Sequence, residues 1–529
     1  MNREPRSWVI ALFDSAWADR RDRPGTRELW IAAALTLGVG LLYGLTFQTR
    51  YYGDGPSLTT MHVLGTRVFH THLLYLPVCD LVARVVGTED PLLALRLVSI
   101  VPAALGCGLA FLLARTLGAP VFGALAATLL LALSPALWFF GTTIEVHALT
   151  FGATSLVALV TLLAPWRCPA LGLGIAAVAF LPLFWVHESA IVLGPGCVLL
   201  VQYARARQGP GFSWRALLFC VGPVLLLALC LSVAGATLAR GRSVAAVVEH
   251  VRTQLAVPGR QLDVRADSVL LREWLQPLGV LVPLALLGAR RLRAEAWRAP
   301  AIAVLVLFPL GFFAWWSVLE RGGYFLGSDA FLLVPVALLF GAWSRAKGLL
   351  ALLLLTGQAT LARARIEAFD QGWVPAERVA QVRAALGDSG LLLSSVGFAP
   401  SIRIDLPGIE EFSTRSFVRS TCLRENRLVP PEEIVAALRP CLRRLFERHE
   451  RVAFETGFHR VTSQESPSLA ACAPSLTAIE DLLREHYRTS KLAHPDWGLL
   501  VLERPERALL TETVSIPGQR GPAGRWFRR

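Results

Sequence analysis

Charge is what this chain has least of. Only 17% of its 529 residues are Asp, Glu, Lys or Arg, against 54% hydrophobic, whereas a soluble globular chain carries about 25% charge. That deficit, with a mean hydropathy of +0.51, excludes a soluble enzyme over most of the length and places the chain in a bilayer. Acid is scarcer than base, 39 residues against 52. The bases are scattered over short loops rather than gathered in one stripe, which excludes a nucleic-acid binder. No cysteine pair has CxxC or metal-ligand spacing. Cys79, Cys107, Cys168, Cys197, Cys220 and Cys230 fall in or near apolar runs, as small core residues do. Cys422, Cys441 and Cys472 lie in the polar tail, where one disulfide plus a thiol fits as well as three thiols. No GxGxxG or phosphate-loop pattern supports nucleotide binding in that tail, and no cleavage site follows the first apolar run, so that run reads as a retained anchor.

What the chain does have is apolar runs of spanning length. They recur near 29–47, 92–114, 119–140, 143–164, 170–186, 189–203, 216–239, 275–289, 300–318, 329–343 and 348–361, about eleven spans. Residues 1–28 read as a cytoplasmic N-terminal segment, in which Ser7–Ala18 is either an interfacial helix or a solvated tail. The even-numbered connections carry Arg115, Arg167, Arg205, Arg207, Arg215, Arg290, Arg291, Arg293, Arg298, Arg345 and Lys347 with almost no acid. That asymmetry predicts a cytoplasmic N-terminus. Asp54, Glu145, His147, His187, Glu188, Glu320 and Tyr324 then all map to the outer face, the one side on which acids and histidines can meet. The loop Arg240–Arg272, with its helical repeat at Ser243–Val257, reads as resting on anionic headgroups or as a phosphate clamp. From residue 362 to 529 the apolar runs shorten to strand length (391–396, 451–455, 498–502) and alternate with helix-like stretches (431–450, 475–487). This predicts a C-terminal soluble α/β domain on the extracytoplasmic side. The fold class is therefore a polytopic α-helical membrane protein, with residues 29–361 as its transmembrane domain.

The densest group of ionisable residues follows the first span: Asp54, His62, Arg67, His70 and His72 between Tyr51 and Pro77. Such groups beside a bilayer mark function. Asp54, in Gly-Asp-Gly-Pro, suits a general base reaching over a cavity mouth, and suits a plain turn equally. Glu145 with His147, and His187 with Glu188, break apolar stretches at one depth. Each pair could bond sugar hydroxyls or a lipid phosphate, or serve a structural ion pair or loop. His62, His70 and His72 with Asp54 leave a divalent metal open, although no DxD or HExxH pattern accompanies them.

The order of these pieces resembles the GT-C superfamily of polytopic glycosyltransferases, and within it the protein O-mannosyltransferase-like branch. Gly53-Asp54-Gly55-Pro56-Ser57 is similar to that branch's Gly-Asp-Ser-Gly-Glu, and His72 and Pro77 match the two ends of its His-Pro-Pro-Gly-Tyr-Pro. Ile144-Glu145-Val146-His147-Ala148-Leu149 resembles Ala-Glu-Val-Tyr-Ala-Leu, and Glu320-Arg321-Gly322-Gly323-Tyr324-Phe325-Leu326 resembles Glu-x-x-Arg-Tyr-Phe-Leu-Pro. The first motif lacks its final acid, the second its Pro-Pro-Gly, and His147 replaces a tyrosine. The resemblance implies an enzyme of the bacterial inner membrane that moves a sugar, a hexose such as mannose, from a polyprenyl-phosphate donor. The acceptor is a hydroxyl of a protein, glycan or lipid. Asp54 is the implied base and Glu145 its supporting acid. His62, Arg67, His72, His147, His187, Glu188, Glu320, Arg321 and Tyr324 would bind substrate, and direct displacement predicts inversion. The rival readings are a transporter or lipid flippase, and a dead GT-C-like scaffold.

Overall fold

The structure, a computed structural model, describes residues 24–48, 52, 54–63, 72–88, 90–166, 168–208, 270–294, 297–316, 322–371, 375–394, 402, 406, 408–425, 429–456, 467–486, 489–493 and 498–502. The expectations for Ser7–Ala18, the 216–239 run, the loop up to 269, Arg67, His70, Glu320, Arg321 and Cys472's bonding lie outside them. The chain divides into two compact units, Met1–Val374 and Pro375–Arg529.

The first unit is helical. In chain order it comprises α1 (Thr26–Leu45), α2 (Gly55–Val63), α3 (Tyr75–Val86), α4 (Pro91–Thr116), α5 (Val121–Ala132), α6 (Pro135–Gly141), α7 (His147–Leu163) and α8 (Pro169–Val186). After a 3-10 turn come α9 (Gly194–Gln208), α10 (Leu281–Gly288), α11 (Arg298–Trp316), α12 (Leu326–Phe340) and α13 (Arg345–Gln371). Among the described residues five helices are long and apolar enough to cross a membrane, or seven counting two bent pairs as one span each. Three shorter apolar helices join them.

The sequence reads 119–140 as one run, but the structure breaks it between α5 and α6 with a bend of 63°. Pro135 has no N–H to give the preceding turn and keeps Ser134 extended, while the Ser134 hydroxyl accepts the Leu137 N–H at 3.2 Å. The 275–289 run is also broken, at Gly279, by 88° between Leu270–Leu278 and Leu281–Leu292. The split expected at His187-Glu188 is present, with a 3-10 turn over Glu188–Leu193.

Helix contacts are close where side chains are smallest. A Cβ on Gly152 would lie 2.6 Å from the Pro102 carbonyl oxygen, and one on Gly123 would overlap the Ala337 carbonyl at 2.0 Å. These positions bring α7 against α4 and α5 against α12, as small residues do in lipid. At the far end of α4 the basic residues bind backbone. Arg115 bonds Glu28 and the Ala119 carbonyl. Arg207 donates to Thr116 O at 2.7 Å, and buried Arg298 donates to Leu117 O at 3.1 Å and Leu292 O at 3.3 Å. The helix C-terminal turn there leaves carbonyls without partners, which guanidinium groups satisfy.

Among the described residues the second unit is an α/β sheet of five strands: β1 (Gly390–Ser394), β2 (Ile409–Ser413), β3 (Val452–Thr456), β4 (Thr489–Ala493) and β5 (Gly498–Leu502). The order is β2-β1-β3-β5-β4, with β2, β1 and β3 parallel and β5 antiparallel to both neighbours. Helix α14 (Pro375–Leu386) packs on one face through Val379, Val382 and Leu386. Helix α16 (Pro431–Arg448), which follows α15 (Thr414–Glu425), packs on the other through Ile434, Leu438 and Leu442; α17 (Pro467–His486) joins it through Ile479 and Leu483. Helix α13 continues past its apolar run to Gln371, its polar end carrying an Arg363–Glu367 pair.

Candidate active site

Helix α1 ends at Leu45, and the chain after it is fastened to α6. Gln48 N–H donates to Thr142 O at 2.8 Å and its Nε2 to Thr142 Oγ1 at 2.7 Å. The ring of Tyr52 meets Phe139 edge-on at 5.0 Å. The next turn delivers Asp54 to the start of α2, where its carbonyl accepts the Leu58 N–H at 2.9 Å. Gly55 lies flat on the segment that carries Glu145, since a Cβ there would sit 2.3 Å from the Ile144 carbonyl oxygen. Only glycine permits that approach.

Two loops 91 residues apart therefore meet. The Asp54 N–H donates to Glu145 Oε1 at 3.3 Å, and Asp54 Oδ2 lies 3.1 Å from His72 Nε2. His72 is buried and Asp54 half-exposed, so the carboxylate joins a buried partner to the surface. Glu145 is buried, and His147 Nε2 lies 3.9 Å from its Oε1.

Behind this pair the imidazoles stack. His187 is 4.6 Å from His72 and 5.3 Å from His147, the latter nearly parallel at 25°. Tyr324 closes the group edge-on, 5.2 Å from His147 and 5.5 Å from His187. His187 Nδ1 accepts the Ser189 N–H at 3.0 Å, with the Ser189 hydroxyl 2.7 Å away. The ring proton of neutral His187 is thus on Nε2, an available donor. Burial first, then the His72 and His147 imidazoles, hold His187 well below the usual histidine range.

Of the residues singled out in the sequence, the structure gathers Asp54, His72, Glu145, His147, His187 and Tyr324. It does not bring His62 to them. His62 is eight residues along α2 from Asp54, ~12 Å by helical rise, and its Nδ1 pairs with Asp80 at 3.4 Å. The backbone of Glu188 opens the 3-10 turn beside the group; Arg67, Glu320 and Arg321 are among the residues not described. Among the described residues no three His, Cys, Asp or Glu side chains converge as metal ligands. One ring nitrogen of His187 is spent on Ser189.

Two residues escaped the sequence reading. Glu273 is buried, and its Oε2 accepts the Gly322 N–H at 2.8 Å. Arg96 lies in the second turn of α4 with its guanidinium over the Phe47 ring at 5.3 Å, and its buried Nε has no hydrogen-bond partner in the structure. Phe47 packs on the cluster of Leu58, Tyr75, Ile144 and Val146 that supports both acid-bearing loops. The signal for Arg96 was on the page: a cation inside an apolar helix.

No family model matches this sequence, and no curated protein matches it. Solved structures do. ArnT from Cupriavidus metallidurans bound to undecaprenyl phosphate matches with a TM-score of 0.58 at 13% identity, over 90% of this chain and 98% of that one. The apo form of the same enzyme matches with a TM-score of 0.54 at 14% identity, over 89% and 97%. An oligosaccharyltransferase from Archaeoglobus fulgidus overlaps with a TM-score of 0.49 at 13% identity, over 90% and 73%. This chain has the fold of ArnT.

Proposed function

We propose that this chain is a membrane glycosyltransferase that uses a polyprenyl-phosphate-linked sugar and transfers it to a hydroxyl acceptor outside the cytoplasm. The observation that carries the reading is the half-exposed Asp54 carboxylate, paired with buried His72 while its backbone N–H is bonded to Glu145. It stands on a fold shared with ArnT, which was crystallised with undecaprenyl phosphate.

The chemistry follows from the geometry. Asp54 takes the proton of the acceptor hydroxyl as its oxygen bonds to the sugar's first carbon; the bond from that carbon to the phosphate oxygen breaks, and the electron pair leaves with polyprenyl phosphate. One direct displacement inverts the carbon. Glu145, bonded to the Asp54 N–H, fixes where the base sits. Neutral His187 offers Nε2–H to sugar oxygens, and the Tyr324 ring walls the recess. The leaving phosphate needs positive charge. Arg96 is the described candidate for it, with Arg67 and Arg321 as further ones. No step requires a metal. The acceptor's class and the sugar, for which a hexose is the working choice, follow from the resemblance to the mannosyltransferase-like branch.

The test is the full chain in proteoliposomes of bacterial lipid, given undecaprenyl-phosphate hexose. Wild-type protein should release undecaprenyl phosphate and pass the hexose to an envelope hydroxyl, and Asp54→Asn should insert normally and transfer about 10³-fold more slowly. Full activity of that variant, or movement of intact donor across the bilayer without bond cleavage, overturns the reading; the second outcome is a flippase.

A further inference from the structure

We propose that Glu273 is a positioning residue, whose carboxylate holds the Gly322 turn so that Tyr324 stays against the histidine stack. The inference rests on the reading of this recess as a sugar-transfer site.

Glu273 sits in a π-helical turn, Leu270–Leu275, just before the 88° break in that segment. Such turns disturb the regular helix and re-aim side chains. The carboxylate is buried, and a buried carboxylate is costly unless bonded. Its Oε2 accepts the N–H of Gly322, 49 residues on, at 2.8 Å. The turn it holds is pressed against the same segment: a Cβ on Gly322 would lie 2.8 Å from Pro277 Cβ and 3.0 Å from the Glu273 carbonyl, and Gly322 has φ +89. A side chain is therefore excluded there by space and by backbone conformation together.

The following residue continues the line of contact. A Cβ on Gly323 would lie 2.5 Å from His147 Cδ2, so the turn rests on the imidazole itself. Tyr324 comes next, 5.2 Å from His147, 5.5 Å from His187 and 4.9 Å from Phe313. Its place is thus set from two sides, by the glycine contact on His147 and by the bond to Glu273. Released from Glu273, the turn keeps the sterically required glycines but loses the bond that fixes its height above the rings. The sugar would then bind as before and react more slowly, because misplacement by a fraction of an ångström is felt in the transition state more than in binding.

The experiment uses the full chain in lipid nanodiscs with two variants, Glu273→Ala, which removes the acceptor, and Glu273→Gln, which keeps a carbonyl oxygen at the same reach. Hydrogen exchange of the peptide covering 322–326 reads the turn directly. Transfer from undecaprenyl-phosphate hexose reads its consequence. In Glu273→Ala the Gly322 amide should exchange about tenfold faster, and kcat should fall about tenfold with KM for the donor within about twofold. In Glu273→Gln both should stay within about threefold of wild type. Unchanged exchange in Glu273→Ala overturns the clamp, and faster exchange with unmoved kcat overturns its positioning role. A wild-type chain that transfers nothing sinks the proposed activity, while the exchange measurement still decides whether Glu273 holds the turn.

Discussion

The two ends of the helical unit hold their polar side chains in opposite ways. Around the far end of α4, Arg207 and Arg298 spend donors on the carbonyls of Thr116 and Leu117, Arg291 reaches Leu338 O at 2.8 Å, and Arg115 divides its donors between the Ala119 carbonyl and Glu28. Those cations close helix ends. Toward the other end of α4, beside Leu95 and Val98, Asp54, Glu145 and three histidines contact one another. The Asp54 side chain there is half-exposed. Charge satisfied by backbone stabilises a fold; charge satisfied by other ionisable groups can be given up to a substrate. The comparison predicts that substitutions at the two ends separate stability from activity.

The largest effect is expected at Asp54. Asp54→Asn keeps an oxygen for His72 but cannot accept the acceptor's proton, so transfer should fall about 10³-fold, the scale of a lost general base. Its thermal unfolding midpoint in detergent should match wild type, and a midpoint falling with the rate would erase the contrast between the ends. Arg298→Met is the converse. It strips several carbonyls of a charged donor at a buried position, which costs about 3 kcal/mol of stability, and kcat of the folded fraction should not change. Denaturant titration beside initial rates checks both statements. A smaller effect is expected from Gly55→Ala, whose methyl must push the Ile144 carbonyl back. Asp54 then moves from Glu145, and transfer should fall about tenfold, more than stability alone accounts for.

Much of the helical unit could be read from hydropathy, because each apolar run is a local property and so is the charge at its edge. The breaks at Ser134-Pro135 and at Gly279 were harder. A run of apolar residues reads the same whether straight or bent, and Leu-Ser-Pro inside one did not outweigh its length. In the second unit, β2 and β4 carry Glu410-Glu411 and Lys491, which hide short strands among polar loops. Asp54, Glu145 and the histidines were legible because ionisable groups are rare in such a chain. Glu273 was not. It stands in Leu-Arg-Glu-Trp, an ordinary loop edge by composition, and its meaning comes from a partner 49 residues away. His62 is the opposite case: near Asp54 in sequence, it is carried ~12 Å off by one helix to Asp80.

The finest probe of the contrast is acid. His187 is buried among imidazoles and held well below the usual histidine range, first by burial and then by His72 and His147, whereas in the unfolded chain it titrates near a pKa of about 6.5. Above about pH 6.5 neither state binds the proton, and His187 adds no pH dependence. As pH falls below that value the unfolded chain takes up a proton that the folded chain refuses. The folded state therefore loses stability towards acid, by at most ~1.4 kcal/mol per pH unit for one such group. His187→Asn keeps an oxygen to accept the Ser189 N–H and has nothing to titrate. Its unfolding midpoint should decline less than that of wild type between pH 6.5 and 5, a range taken downward from the unfolded value. Arginine variants at the opposite end should keep the wild-type slope, because guanidinium stays charged throughout. Equal slopes for His187→Asn and wild type would mean that the histidine stack is solvated, and then the two ends do not differ in the way their polar groups are held.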